Sequence, residues 1–312
     1  MNIVFFGTAE FAIPAFRELL ASGHKVLALV TQPDRKRGRN LKLSPTPTKV
    51  VAEAHGIPVY QPADASSEES IEYLKSLNAD LFVVIAFGQI LKKEALVIPK
   101  LFAINLHASL LPRYRGAAPT NWAIINGDKT SGVTIIRMNE RMDEGDIILK
   151  REVPIDAEDT NITLNETLSA LGAKTLMEAI ALIEQGKTVF EKQDSTLVTP
   201  APKLKKEDGL IDWTKPAVVI HGRVRGLLPW PGAYTNGLGK TLKILNTELI
   251  SHPAVTRAEA GEIMDIIKGK GMVVNTGSGA IVIRYLQLEG GKALDADSFL
   301  RGHKFVVGDV FK

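Results

Sequence analysis

The opening of the chain restricts the fold more than any other stretch of it. Residues 2–6 form an uninterrupted apolar run closed by Gly7. Phe11, Phe16, Leu19 and Leu20 follow at spacings that place them on one face of a helix. Gly23 stops that pattern, and residues 26–30 are a second apolar run. Strand, helix and strand begin a βαβ unit, whose crossover makes the two strands parallel. Parallel sheets are covered on both faces, so their inner strands are apolar throughout. Residues 81–87, wholly apolar and followed by Gly88, match that description, and residues 103–106 and 133–138 supply further strands. Residues 50–55, 68–77 and 163–185 supply helices, with Gly186 as a stop after the last. Residues 58–60 read as a short strand and residues 33–47 as a long basic loop.

At 312 residues the chain exceeds the usual size of one domain. Its style changes after Gly186. Residues 189–206 are polar, with Pro200, Pro202, Lys203, Lys205 and Lys206, as in a linker. Beyond Ile211 come short β-type runs at 242–245, 261–267, 272–275, 281–288 and 304–311, several separated by Gly or Pro. Short strands with frequent turns predict a small barrel or sandwich. The expected division is an α/β domain over 1–188, a linker over 189–208 and a C-terminal β domain over 209–312.

The chain has no cysteine, which excludes disulfides, thiolate metal sites and cysteine nucleophiles. The first residues lack a basic region, and their apolar run is too short for a signal peptide. No segment reaches transmembrane length. A cytoplasmic protein without membrane contact is the expectation. Net charge is +3, unevenly spread: residues 209–312 hold thirteen Lys or Arg against nine Asp or Glu. Arg35, Lys36, Arg37, Arg39, Lys42 and Lys49 occupy a stretch with no acid. A basic loop and a mildly basic second half suit a polyanionic partner, and they equally suit a solvated surface.

Gly7 stands alone, without a G-x-G-x-x-G pattern, so a nicotinamide or flavin loses its main support. Asn105 and His107 lie two apart at the end of an apolar strand. A strand has period two, so both side chains leave the sheet on one side. Ligands of open α/β sheets bind outside the carboxyl ends of the strands. An amide donor and an imidazole are then neighbours where a developing negative charge can be met. The acidic turn Asp143-Glu144-Gly145-Asp146 can place a carboxylate against His107, or can be an acidic surface turn. His107 can equally be a hydrogen-bonded structural histidine, and Asn105 a capping residue. His24, His55, His221, His252 and His303 lack such a setting and read as structural or surface groups. No H-E-x-x-H or H-x-x-E-H spacing supports a metal, and Ser109 sits in no G-x-S-x-G elbow.

Taken in order, Asn105-Leu106-His107, Ser109-Leu110-Leu111-Pro112, Arg115-Gly116-Ala117-Ala118-Pro119, Gly132-Val133-Thr134 and Asp143-Glu144-Gly145-Asp146 closely resemble the signature of the folate-dependent formyltransferases. Phe6-Gly7-Thr8-Ala9-Glu10-Phe11, Thr31-Gln32-Pro33-Asp34-Arg35, Asp212-Trp213 and Pro229-Trp230-Pro231 resemble the branch of that family acting on methionyl-tRNA. The resemblance runs over essentially the whole chain. It implies a Rossmann-like formyltransferase domain with a parallel-rich sheet, followed by a small OB-like β-barrel domain. It implies 10-formyltetrahydrofolate as donor and the α-amino group of initiator methionyl-tRNA as acceptor, with no metal and no obligate protein partner. The catalytic roles it implies fall on Asn105, His107 and Asp143. Folate contacts fall on Ser109, Leu110, Leu111 and Pro112, with main-chain groups near Gly88 beside the pterin. Contacts to tRNA fall on Arg35, Lys36, Arg37, Arg39 and Lys42, and on the C-terminal domain.

One departure stands out. Thr120-Asn121-Trp122 follows Pro119, where tRNA enzymes of the family more typically carry Ile-Gln. Asn-Trp is similar to formyltransferases acting on an aminoarabinose nucleotide sugar, which lack the basic loop. The alternatives are therefore a nucleotide-sugar formyltransferase, a non-catalytic tRNA-binding protein, and a hydrolase passing the formyl group to water.

Overall fold

The computed structural model describes residues 1–37, 42–237, 239–250 and 258–312. Two compact units emerge. One comprises Met1–Pro119, Thr130–Pro154 and Asn165–Pro202, the other Thr120–Lys129, Ile155–Leu164 and Lys203–Lys312.

The first unit holds strands β1 (Asn2–Gly7), β2 (Lys25–Val30), β3 (Arg35–Arg37), β4 (Lys42–Ser44), β5 (Val59–Tyr60), β6 (Leu81–Ile85), β7 (Phe102–His107), β8 (Arg115–Gly116), β9 (Thr130–Arg137), β10 (Ile147–Pro154) and β11 (Pro200–Ala201). Its helices are α1 (Ile13–Ala21), α2 (Pro47–Ala54), α3 (Glu68–Ser76) and α4 (Lys93–Leu96). Seven strands form one sheet in the order β10-β9-β7-β6-β1-β2-β5. Pairing is parallel from β7 through β5, while β9 and β10 add antiparallel edges. The chain leaves β1 toward β2 and β5, then returns to its other side through β6. Strand order therefore reverses at β1, where a sheet of this kind opens a crevice.

The apolar runs read from sequence become the inner strands: β6 is buried at every position, and β1 at all but its first. Phe5 stacks on Phe16 of α1 on one side of β1, and Phe6 meets Phe82 and Phe87 on the other. Each such ring or branched chain taken out of water contributes about 1.5–3 kcal/mol. Thr46 and Ser67 cap α2 and α3, accepting from the main-chain nitrogens of Lys49 and Ser70.

Two expectations change here. Within the basic loop, β3 and β4 form an antiparallel hairpin, with Lys36 opposite Leu43. The segment read as a linker is hydrogen-bonded structure. Glu191 makes an antiparallel bridge to Ile147, and β11 pairs in parallel with β8. Its polar composition reflects exposure of its side chains, while its main chain is in use.

The second unit is built on α7 (Ala217–Gly226), β12 (Ala233–Gly237), β13 (Lys240–Ile250), β14 (Ile263–Ile267), β15 (Gly271–Asn275), β16 (Ala280–Leu288), β17 (Ala293–Asp295) and α8 (Ala296–Gly302), with most of α5 (Pro119–Ile125). The strands run β12-β13-β16-β15-β14, all antiparallel, with β17 on β16. Among the described residues β12 and β14 are not paired with each other, so the sheet is an open path. Residues 304–311 form no strand. Asp309 Oδ2 accepts from Val306 N in a turn, and Phe305 and Phe311 pack together instead. Helix α7 carries Gly222 and Gly226 within it, which hides it from propensity reading. A Cβ on Gly226 would come 2.7 Å from Ile125 Cγ1 and 3.0 Å from Asn121 O, so α5 packs directly on the end of this helix. The long helix α6 (Asn161–Glu184) contributes its first residues to this unit and the rest to the other. No helix among the described residues is long and apolar enough to cross a membrane.

Candidate active site

Strand β7 carries Asn105 and His107 to the carboxyl edge of the first sheet. Leu106, between them, faces α6: a Cβ added to Gly172 would lie 2.7 Å from its Cδ2. Asn105 and His107 therefore leave on the other face, as period two requires. In register, Asn105 lies opposite Ile136 and His107 opposite Thr134 of β9. The next segment turns back over this face. Ser109 Oγ donates to Arg113 O at 2.6 Å, and Thr134 Oγ1 donates to Ser109 O at 2.6 Å while accepting from Leu111 N at 3.1 Å.

His107 is 7% exposed and both ring nitrogens are engaged. Its Nε2 donates to Tyr114 O at 2.8 Å, and its Nδ1 lies 3.5 Å from Asp143 Oδ1. The other oxygen, Asp143 Oδ2, accepts from Gly116 N at 2.9 Å. Asp143 itself has φ 53, a left-handed conformation uncommon for a residue with a Cβ. Asn105 is half-buried, and its side-chain amide makes no hydrogen bond among the described residues. The amide is thus open to water or to a ligand.

The remaining sequence-derived residues fall around this centre unequally. Ser109 and Leu111 are each 1% exposed, so their side chains shape the loop, whereas Leu110 and Pro112 are half-buried. Gly88 follows β6 with φ 87 and is exposed beside the exposed Ile90. Arg35 and Lys36 are exposed on β3, at the carboxyl edge three strands away from β7. Arg37 and Lys42 pair across the hairpin by their main chains, and Arg39 lies outside the described residues, as does His252. Asp34 and Lys49, joined at 2.8 Å, brace the two ends of this loop, and Gln61 donates to Asp34 Oδ1 at 2.7 Å. The hydrogen bond from Lys49, then that from Gln61, holds the Asp34 carboxyl below the usual carboxylate range.

Three contributors were not read from sequence: Tyr114 through its carbonyl, Gly116 through its N–H, and Gln193. Gln193 Nε2 donates to both Asp143 O and Gly145 O at 2.8 Å. Main-chain partners leave no side-chain signature, and Gln193 lay in the stretch read as linker. Asn121, the departure noted above, donates to Gly226 O at 2.7 Å within the second unit. Its amide is thus used in packing α5 against the end of α7.

The strand order thus reverses at β1, and the Asn-x-His end of β7 faces the turn that carries Asp143. The chain belongs to the formyl transferase family: residues 1–180 match the model of the formyl transferase domain and residues 203–304 that of the formyl transferase C-terminal domain. It is 51% identical to the methionyl-tRNA formyltransferase of Citrifermentans bemidjiense, over 99% of this chain and 96% of that one. It is 48% identical to the methionyl-tRNA formyltransferase of Geobacter sulfurreducens over the same shares. In structure it resembles the N-formyltransferase of Helicobacter canadensis solved with folinic acid and dTDP-3-aminofucose, with a TM-score of 0.67 and 20% identity over 90% of this chain and 98% of that one.

Proposed function

We infer that this chain transfers the formyl group of 10-formyltetrahydrofolate to the α-amino group of initiator methionyl-tRNA. The carrying observation is the near full-length identity, close to half of all positions, with curated methionyl-tRNA formyltransferases. Formylated methionyl-tRNA is the predicted product when the purified chain is given both substrates. Absence of that product would contradict the inference.

The chemistry is assigned as follows. The acceptor amine attacks in its neutral form, and negative charge grows on the formyl oxygen. The Asn105 amide, without a protein partner among the described residues, donates to that oxygen. One donor of this kind is worth about 3–4 kcal/mol of barrier. His107 donates as well once its ring leaves Tyr114 O, and Asp143 orients that ring from the Nδ1 side. A proton also passes from the amine to the departing folate nitrogen, through His107 or a water held by Asp143, a step for which acid–base help is worth about 10²–10⁴-fold. No covalent bond to the protein is needed.

On the folate side, the main chain of Ser109, Leu110, Leu111 and Pro112 and that near Gly88 are assigned to the pterin and its tail. The free Asn105 amide and the exposed crest at Gly88 and Ile90 support this, since a flat ligand needs an apolar wall with few polar contacts. On the tRNA side, Arg35, Lys36, Arg37, Arg39 and Lys42 are assigned to phosphates, supported by the lack of acids in that stretch. The second unit is assigned as an OB-like domain that binds tRNA, supported by its antiparallel strands, which form an open path among the described residues, and by its basic balance. The reaction is assigned to the cytoplasm, where aminoacyl-tRNA is used, and it needs no obligate protein partner. The nucleotide-sugar alternative rested on Asn121-Trp122, and the bond from Asn121 to Gly226 gives that asparagine a packing role.

A further inference from the structure

We propose that Gln193 is a positioning residue of the formyl-transfer site: its amide holds the turn that aims the Asp143 carboxylate at His107. The proposal rests on the assignment of Asp143 and His107 to the reaction. The turn needs holding from outside. Asp143 is left-handed with φ 53, and Gly145 is pressed so close to β9 that a Cβ would fall 1.8 Å from Arg137 O. Gln193 grips both sides of Glu144, donating its two amide hydrogens to Asp143 O and Gly145 O at 2.8 Å each.

The orientation of the amide is determined by its other end. Gln193 Oε1 accepts from Arg115 Nε at 3.1 Å and from Arg115 Nη2 at 2.8 Å. Turning the amide over would set its hydrogens against the guanidinium and its oxygen against two carbonyls. Arg115 also lies 3.6 Å from Glu144, within the same turn. Next to it stands Tyr114, whose carbonyl accepts from His107. Tyr114 N donates to Thr199 Oγ1 at 2.9 Å and Arg115 N to Thr199 O at 2.9 Å. One residue thus connects the carbonyls of the Asp143 turn to Arg115, which directly follows the carbonyl that holds the imidazole. Gln193 is itself fixed by the neighbouring bridge of Glu191 to Ile147. Neither a shorter amide nor a charged side chain offers two donors and a doubly used acceptor over this span.

The test compares Gln193→Met, Gln193→Glu, Asp143→Asn and the double variant Gln193→Met with Asp143→Asn, all in the full chain. Gln193→Met removes every bond at similar volume. Gln193→Glu keeps the link to Arg115, and so the fold, while losing both donors. Both single variants at Gln193 should lower kcat by at least about tenfold with each KM within about twofold of wild type. The double variant should be no slower than Asp143→Asn alone, because the two residues act as a unit. A kcat within about twofold of wild type in Gln193→Glu, or losses that multiply in the double variant, would overturn the proposal. Asp143→Asn with wild-type kcat would instead overturn the reading of the site, and this proposal with it.

Discussion

Of the three side chains we assign to the reaction, Asn105 carries the most direct prediction, because its amide has no protein partner among the described residues. Asn105→Ala should lower kcat by about 10²–10³ while both KM values stay close to wild type. Steady-state kinetics with each substrate varied would check this, and a rise in KM with kcat intact would reassign Asn105 to ground-state binding. A second residue makes a pH prediction of another kind. His221 is 5% exposed in the second unit, with its Nδ1 2.9 Å from Thr247 Oγ1. Burial, then the Arg225 guanidinium, pushes its imidazole below the ordinary range, against a weaker opposite pull from Glu158. The unfolded chain takes up the proton near pH 6.5, the folded chain only at lower pH. This contribution to stability is therefore complete above about pH 6.5 and is lost as pH falls through the folded value. His221→Gln should flatten the fall of Tm over that acidic window, and an unchanged slope would show that other groups carry it.

At the scale of elements, the hairpin of β3 and β4 separates the residues we assign to tRNA from those that hold the loop. Arg35 and Lys36 are exposed, whereas Lys49 is bound to Asp34 and Gln61. Replacing Arg35 and Lys36 by Ala should raise KM for methionyl-tRNA and leave the folate KM unchanged. It should also lower the salt dependence by about one logarithmic slope unit for each phosphate that the hairpin no longer neutralises. A tRNA KM indifferent to both substitutions and to salt would remove the hairpin from the interface. The hairpin was not legible in the sequence, because Pro33, Pro45 and Pro47 and the lack of apolar alternation around it read as loop. Strand β10 escaped for a related reason: Lys150, Arg151 and Glu152 lie on an edge strand that is partly open to solvent. The parallel strands β1, β2, β6 and β7 were legible because burial on both faces leaves an apolar run that little else in a soluble domain produces.

At the scale of the whole molecule, the order of motifs named the family, while geometry supplied what motifs cannot carry. Period two put Asn105 beside His107 from the sequence alone. The approach of Asp143 to His107 depends on the fold of β9 and the turn after it, and the use of Gln193 depends on where a distant, polar segment returns to the sheet. The acceptor is the most specific element of the account, since it rests on similarity to relatives and on a basic loop, not on the trio assigned to formyl transfer. The most direct test offers the purified chain 10-formyltetrahydrofolate with methionyl-tRNA and an amino-sugar nucleotide together, and identifies the product by mass. The account predicts formylated methionyl-tRNA, with the sugar nucleotide unchanged and no formate released in the absence of tRNA. A formylated sugar nucleotide, or formate released without any acceptor, would contradict it.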